Sequence, residues 1–133
     1  MASIHKDISL AVSADDVWDA VRDFGALHTR LVPGFVRETT LDGEARIVSF
    51  ANGTTARELL VDCDDERRRL VYAVISERVR QHSASVQVPA DGATRCRLLW
   101  TVDVLPHEIV PYMNAQMDLA AAAMRKAFDK VRT

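Results

Sequence analysis

The sequence has little of what marks membrane-spanning, secreted or nucleic-acid-binding proteins. Among its 133 residues no apolar run reaches the roughly 20 residues of a membrane-spanning helix, and the charged start at residues 5–7 is unlike a signal peptide. Seventeen Lys and Arg residues against nineteen Asp and Glu residues give a net charge of -2, which offers no basic surface to nucleic acid. We therefore expect a cytoplasmic protein with neither an integral-membrane segment nor a nucleic-acid partner.

The sequence is also short of groups that bind metals or form covalent intermediates. Its two cysteines, Cys63 and Cys96, are far apart, and each lies in a strand-like apolar segment, where a free cysteine packs as a small hydrophobe. The four histidines lack a metal-binding spacing, and neither a GxSxG elbow nor a glycine-rich phosphate loop is present. The sequence thus predicts no metal, no cofactor and no dedicated nucleophile.

What the sequence does contain is typical of one globular domain over residues 1–133, with 48% hydrophobic and 27% charged residues. From Ile4 to Val12 polar and apolar residues alternate, which predicts a strand with one buried face. Ser13 follows as the N-cap of a first short helix. A second short helix fits residues 26–31 and ends at Pro33-Gly34.

From residue 35 onward the apolar period becomes that of β-strands. Short polar turns separate six strand-like segments: Phe35–Leu41, Ala45–Ala51, Ala56–Cys63, Leu70–Ile75, Arg80–Val88 and Thr94–Val104. Connections this short make successive strands antiparallel neighbours. The charged run at residues 62–69 is expected to be a solvated hairpin tip.

The chain ends in a predicted amphipathic helix of about 20 residues, which begins near Pro111. Its apolar stripe recurs at steps of three and four: Met113, Met117, Ala120, Ala121, Met124, Phe128 and Val131. The methionines suit an adaptable cavity wall and equally an ordinary core. The order of elements predicts an α+β fold in which a curved antiparallel sheet of about seven strands wraps around this helix and leaves a cavity between them.

This order of elements resembles the START/polyketide cyclase-like (SRPBCC) superfamily, whose architecture is called the helix-grip fold. The resemblance covers nearly the whole chain, and its segments are Ser13–Phe24, Pro33–Val36, Asn52–Gly53, Arg57–Asp62, Asp64–Tyr72 and Trp100–Asp103. The superfamily includes lipid carriers, hormone receptors and aromatase/cyclases. The resemblance therefore implies a cavity for a hydrophobic ligand, and it leaves open whether any reaction is catalysed.

The same resemblance implies that Arg46, Val48 and Phe50 face the cavity from one strand, and Glu58 and Leu60 from the next. Register decides this, because a shift of one residue reverses every face. A two-residue asparagine–glycine turn would put Glu58 and Phe50 on opposite faces of the sheet. A three-residue loop or a bulge would put both side chains on the same face. The polar extension Thr54–Thr55 favours the longer loop, which we expect.

Glu58 and His82 are the polar candidates for the site. A carboxylate among apolar neighbours must be paired, solvated or shifted in pKa, so Glu58 either contacts a ligand or pairs with Arg46 or Arg37. His82 shares the parity of the apolar positions that follow it, and is either a ligand contact or a core histidine. Within hydrogen-bond distance the two could act as general acid and base; otherwise they could anchor a polar ligand group. His28, near the expected mouth, is predicted to be exposed.

Three functions fit these residues. The first is binding or carriage of a small lipid, polyketide or aromatic molecule by a monomer or homodimer. The second is an aromatase/cyclase or dehydratase acting through Glu58 and His82, and the third an interaction module with a collapsed cavity. Two loops, residues 52–55 and 76–79, are expected to lie side by side at one end of the cavity. The resemblance to hormone receptors, in which the equivalent loops close over the ligand, implies a lid there. The expected ligand contacts are Arg46, Val48, Phe50, Glu58, Leu60, Tyr72, His82, Trp100, Met113, Met117 and Met124.

Overall fold

The structure, a computed structural model, describes residues 2–131, with side chains as far as Asp129. It contains one strand, short helical segments, six further strands and a long helix, as the sequence predicts. Val131, assigned by pattern to the apolar stripe, lies outside the described side chains. The elements are β1 (Ser3–Leu10), α1 (Ala14–Arg22), a 3-10 turn (Phe24–Ala26), a π-helical turn (Leu27–Leu31), β2 (Val36–Asp42), β3 (Ala45–Phe50), β4 (Thr55–Asp64), β5 (Arg69–Ile75), β6 (Gln81–Gln87), β7 (Cys96–Leu105), a 3-10 turn (His107–Ile109) and α2 (Val110–Val131).

The seven strands form one antiparallel sheet in the order β1-β7-β6-β5-β4-β3-β2. Strands β2 to β7 lie beside their neighbours in sequence because each is joined to the next by a short loop or turn. Strand β1 closes the order by pairing with β7, from Ser3 opposite Asp103 to Leu10 opposite Cys96. The curved sheet and the long C-terminal helix make this the α+β helix-grip fold predicted from the sequence.

Helix α1 begins where the sequence places a cap. The Ser13 hydroxyl accepts a hydrogen bond from the backbone N–H of Asp16 at 3.2 Å, which satisfies one of the free donors of the first turn. Asp15 and Asp16 add negative charge at the positive end of the helix dipole. The helix buries its apolar face against the sheet, and that face consists of Ala14, Val17, Trp18, Ala20 and Val21.

The tip of the β4–β5 hairpin is exposed to solvent, as predicted, and it also docks on α1 through side-chain hydrogen bonds. Asp65 accepts hydrogen bonds from the indole Nε1 of Trp18 at 2.9 Å and from Nε of Arg22 at 2.8 Å. The hydrogen bond from Trp18, and after it the one from Arg22, hold the pKa of Asp65 below its usual value. Arg68, at a φ of 48°, donates to Asp15 at 2.8 Å. The charge run carried no sign of these partners, because they lie on a distant segment of the chain.

From Met117 onward, the inward side of α2 is packed into the main core. Its buried side chains join those of α1 and the inner face of the sheet in one apolar cluster. Both cysteines are free, with Cys96 buried and Cys63 half-buried, as expected of small core residues. Among the described residues no helix is long and apolar enough to cross a membrane. The helix residues in this cluster are Met117, Ala120, Ala121, Met124 and Phe128.

Candidate functional site

A cavity of about 150 Å³ lies between the inner face of the sheet and the N-terminal half of α2. Inward side chains of β4, β5, β6 and β7 line one side, and Met113 and Met117 of α2 line the other. The loops that follow β3 and β5 border its opening to solvent. The cavity is thus in the location that the sequence predicts, although it occupies only one half of the interface between helix and sheet.

The register between β3 and β4 turns Glu58 towards this cavity. Arg46 is directly opposite Glu58, and the backbone N–H of Phe50 donates to the carbonyl of Thr54 at 2.9 Å. The connecting loop is therefore the three residues Ala51–Gly53, the longer of the two alternatives. Since side chains alternate along a strand, Phe50 and Glu58 share the inner face.

Glu58 forms a buried ion pair with Arg46. Both Nε and Nη2 of Arg46 lie 2.8 Å from Oε1 of Glu58. The third guanidinium nitrogen, Nη1, donates to the carbonyl of Phe24 at 3.2 Å. The guanidinium carbon also lies 4.0 Å from the ring centre of Phe24 and 5.3 Å from that of Tyr72. Arg46 is fully engaged behind the cavity wall and does not line the cavity, so its placement as a cavity-facing residue is wrong.

Glu58 itself lines the cavity and keeps one oxygen for an occupant. Both contacts from Arg46 reach Oε1, and no group among the described residues donates to Oε2. A carboxylate oxygen accepts hydrogen bonds and donates none. The pair therefore presents a neutral total charge and one open acceptor to the cavity.

Tyr72 and Trp100 provide a donor on the same wall. The Trp100 indole donates to the Tyr72 hydroxyl oxygen at 3.2 Å, which leaves the hydroxyl's own proton available to a cavity occupant. Burial, and then the negative charge of Glu58, raise the pKa of Tyr72. The phenol therefore stays protonated throughout the neutral range.

His82 faces the cavity from β6, on the other side of Val74 from Glu58. Val74 pairs with Glu58 directly, and the register that pairs Tyr72 with Ala84 brings His82 opposite Val74. Neighbouring strands are about 4.8 Å apart, so the backbones of Glu58 and His82 are about 10 Å apart. No hydrogen bond joins their side chains within the described chain. They flank the cavity and do not form a directly bonded acid–base pair.

The imidazole of His82 is uncharged at neutral pH because it is buried. Burial lowers the pKa of His82 to about 4, which leaves one ring nitrogen as a donor and the other as an acceptor at pH 7. Neither nitrogen has a hydrogen-bond partner among the residues that the structure describes. His82 thus adds both a donor and an acceptor to the groups available inside the cavity.

At the mouth of the cavity the two predicted loops meet the first turn of α2. Asn52 donates through Nδ2 to the Tyr112 hydroxyl at 3.1 Å. The guanidinium carbon of Arg78 lies 6.0 Å from the centre of the Tyr112 ring. Both loops contribute side chains to the lining, so their expected position at one end of the cavity is confirmed. Their role as a moving lid stays a prediction.

Seven of the eleven expected ligand contacts line the cavity. The other four, which are Arg46 and three apolar residues, do not. Val48 is completely buried, and Leu60 packs against the core beside Tyr72. Met124 lies two turns beyond Met117, about 10 Å further along the helix and inside the packed half. The seven that line the cavity are Phe50, Glu58, Tyr72, His82, Trp100, Met113 and Met117.

Several lining residues were not identified from the sequence. Gln116 lies next to Met117 on α2, where the pattern assigned it to the solvent face, and Tyr112 lies one turn before it. The spacing from Ile109 through residues 112–113 to 116–117 is that of one helix face, and this signal could have found them. His28, expected to be exposed at the mouth, is half-buried outside the lining, and its Nδ1 has no partner among the described residues. Among all the residues that the structure describes, no three His, Cys, Asp or Glu side chains lie close enough together to hold a metal ion.

Comparison with known proteins agrees with this architecture. A family model described as "Polyketide cyclase / dehydrase and lipid transport" matches residues 1–132, while no curated protein matches. XoxI from Bacillus cereus is 19% identical, with 100% of this chain and 99% of that chain covered and a TM-score of 0.86. A START superfamily protein from Mycobacterium smegmatis is 10% identical (97% and 98% covered, TM-score 0.83). Norcoclaurine synthase from Thalictrum flavum, in complex with dopamine and hydroxybenzaldehyde, is 21% identical (94% and 84% covered, TM-score 0.72). These structures share the fold.

Proposed function

The chain belongs to the polyketide cyclase/dehydrase and lipid transport family of the START-like superfamily, and we propose that it binds one small, largely apolar molecule. The observation that carries this proposal is the half-open cavity between sheet and helix. Its walls are mostly apolar, yet Glu58, Tyr72 and His82 each keep hydrogen-bonding capacity that no described residue uses: one carboxylate oxygen, the phenol proton and the imidazole nitrogens. Binding sites typically combine apolar walls with a few converging polar groups.

The volume limits the ligand to one ring in the enclosed part. An engineered cavity of about 150 Å³ in another protein stays dry and binds benzene, and the cavity here has the same volume. The rings of Phe50 and Trp100 and the thioethers of Met113 and Met117 offer contacts that suit an aromatic guest. Of the lipid, polyketide and aromatic classes, the monocyclic aromatic class fits best.

The same groups support binding more strongly than catalysis. A general base is most effective when its pKa is near the working pH, and the pKa of His82, about 4, is well below neutrality. Glu58 is held in an ion pair, and no hydrogen bond within the described chain links it to His82. An interaction module with a collapsed pocket would need a solid interior, which the cavity contradicts.

The test compares two phenylalanine substitutions on adjacent residues of β5. Val74→Phe adds a ring on the inner face, between Glu58 and His82, and Ala73→Phe adds the same ring on the outer face. We expect 4-ethylphenol to bind the wild type and Ala73→Phe saturably in ligand-observed NMR, and to lose binding to Val74→Phe. Lauric acid, a long-chain probe, should bind more weakly. Equal binding to Val74→Phe, or no binding of any monocyclic phenol to the wild type, would refute the proposal.

A further inference from the structure

We propose that the ligand is a hydroxylated aromatic carboxylic acid, held with its hydroxyl inside the cavity and its carboxylate against Arg78 at the mouth. This inference rests on the proposed function and adds the polarity and orientation of the ligand. Three features carry it: the charges of the lining, the hydrogen-bonding groups at the inner end, and the position of Arg78 relative to them.

The lining has one positive charge without a counter-charge. Glu58 and Arg78 are its two formally charged side chains, among the residues described. The charge of Glu58 is matched by Arg46 at 2.8 Å. Arg78 has no acidic partner in the described part of the chain; it is an exposed residue of the lining, and its guanidinium carbon lies 6.0 Å from the centre of the Tyr112 ring. A guanidinium in this position favours a planar anion such as a carboxylate, which it can bind through two parallel hydrogen bonds.

The inner end of the cavity favours a neutral hydroxyl. The open oxygen of Glu58 accepts only, so a carboxylate placed there would meet a like charge. An ammonium would add an unmatched charge to a buried site whose ion pair is already balanced. A hydroxyl can donate to Glu58 or His82 and accept from the Tyr72 proton, and it brings no net charge into the interior.

The distance between the two ends suits a short molecule. Glu58, Val74 and His82 form one row across the sheet, and Arg78 follows Val74 by four residues. Four residues of chain span at most about 13 Å. One ring with a hydroxyl at one end and a short carboxylate chain opposite it fits within this limit, with its carboxylate at the solvent side.

Calorimetric titrations with four probes separate the contributions of the hydroxyl and the carboxylate. The reference is 4-hydroxyphenylacetate; phenylacetate lacks the hydroxyl, 4-ethylphenol lacks the carboxylate, and tyramine carries an ammonium in place of the carboxylate. We expect 4-hydroxyphenylacetate to bind most tightly and tyramine least tightly. Loss of either the hydroxyl or the carboxylate should weaken binding about tenfold, as for one hydrogen bond to a charged group. Arg78→Gln should weaken the hydroxy acid by a similar factor and leave 4-ethylphenol unchanged. Arg80→Gln, an exposed arginine of the same segment outside the lining, is the matched control and should change neither.

The outcomes distinguish this inference from the proposed function. If 4-ethylphenol binds as tightly as the hydroxy acid, or Arg78→Gln has no effect on the acid, the carboxylate assignment is overturned and the binding function stands. Tyramine as the tightest probe would overturn the charge argument. Equal affinities for phenylacetate and 4-hydroxyphenylacetate would overturn the inner hydroxyl. If no probe binds the wild type, the proposed function fails as well.

Discussion

Removal of Glu58 tests how much the buried ion pair between Arg46 and Glu58 contributes to the stability of the fold. In Glu58→Leu the guanidinium of Arg46 keeps the Phe24 carbonyl and two aromatic rings, and loses the carboxylate that balances its charge. Breaking a buried pair by removing one partner costs about 3–5 kcal/mol, because the remaining charge is desolvated without compensation. We expect a loss of unfolding free energy in this range.

The size of this loss can be converted into a melting temperature. Unfolding entropies near 60 °C are about 2.1 cal/mol/K per residue, which for this chain gives about 0.28 kcal/mol/K. A loss of about 3–5 kcal/mol therefore lowers the Tm by about 10–18 °C. The shift is measurable by calorimetry or circular dichroism.

The decisive comparison is a double-mutant cycle with Arg46→Met. The double variant removes both charges and fills the space with apolar atoms, so it should lose much less stability than the two single variants added together. Part of the arginine's contribution remains lost, since its contacts with the rings of Phe24 and Tyr72 disappear. Additive losses around the cycle would refute the description of Arg46 and Glu58 as a coupled buried pair.

Three further predictions concern other parts of the molecule. Because burial lowers the pKa of His82 from 6.5 to about 4, the unfolded chain binds a proton first as the pH falls, and stability that is complete above pH 6.5 is lost progressively towards pH 4. The Tm of the wild type should therefore fall more steeply between pH 7 and pH 5 than that of His82→Phe; parallel pH profiles would contradict this. Asp65→Ala should speed hydrogen exchange at the β4–β5 tip, whereas Glu66→Gln should not, and equal exchange in both would argue against docking on α1. Ser13→Ala should cost about 1 kcal/mol in urea unfolding through the lost cap, and an unchanged midpoint would exclude a stabilising cap.

The secondary structure could be predicted from the sequence because its signals are local. The Ser13 cap, the alternation along each strand and the three- to four-residue steps of α2 depend on residues close together in the chain. The β3–β4 register was also predictable, since the polar residues that follow Gly53 favoured a longer loop. Each of these depends on a few neighbouring positions.

The extent of the cavity could not be predicted, because it depends on packing between distant segments. The neighbouring sequence does not distinguish Met117, which lines the cavity, from Met124, which lies in the core two helical turns further on. Likewise, the identity of Arg46 gives no sign that Phe24 and Tyr72 enclose its guanidinium. The docking of the β4–β5 tip on α1 has the same origin, since its partners are supplied by tertiary structure.

The two halves of α2 differ in a way that matters for protein engineering. The C-terminal half, with Met124 and Phe128, is solid core, whereas the half near Tyr112 and Met113 borders open space. Libraries randomised only at the cavity-lining residues of α2 would change which ligand is bound. The packed residues that stabilise the fold would stay unchanged. The scaffold is therefore suited to the selection of new receptors and biosensors.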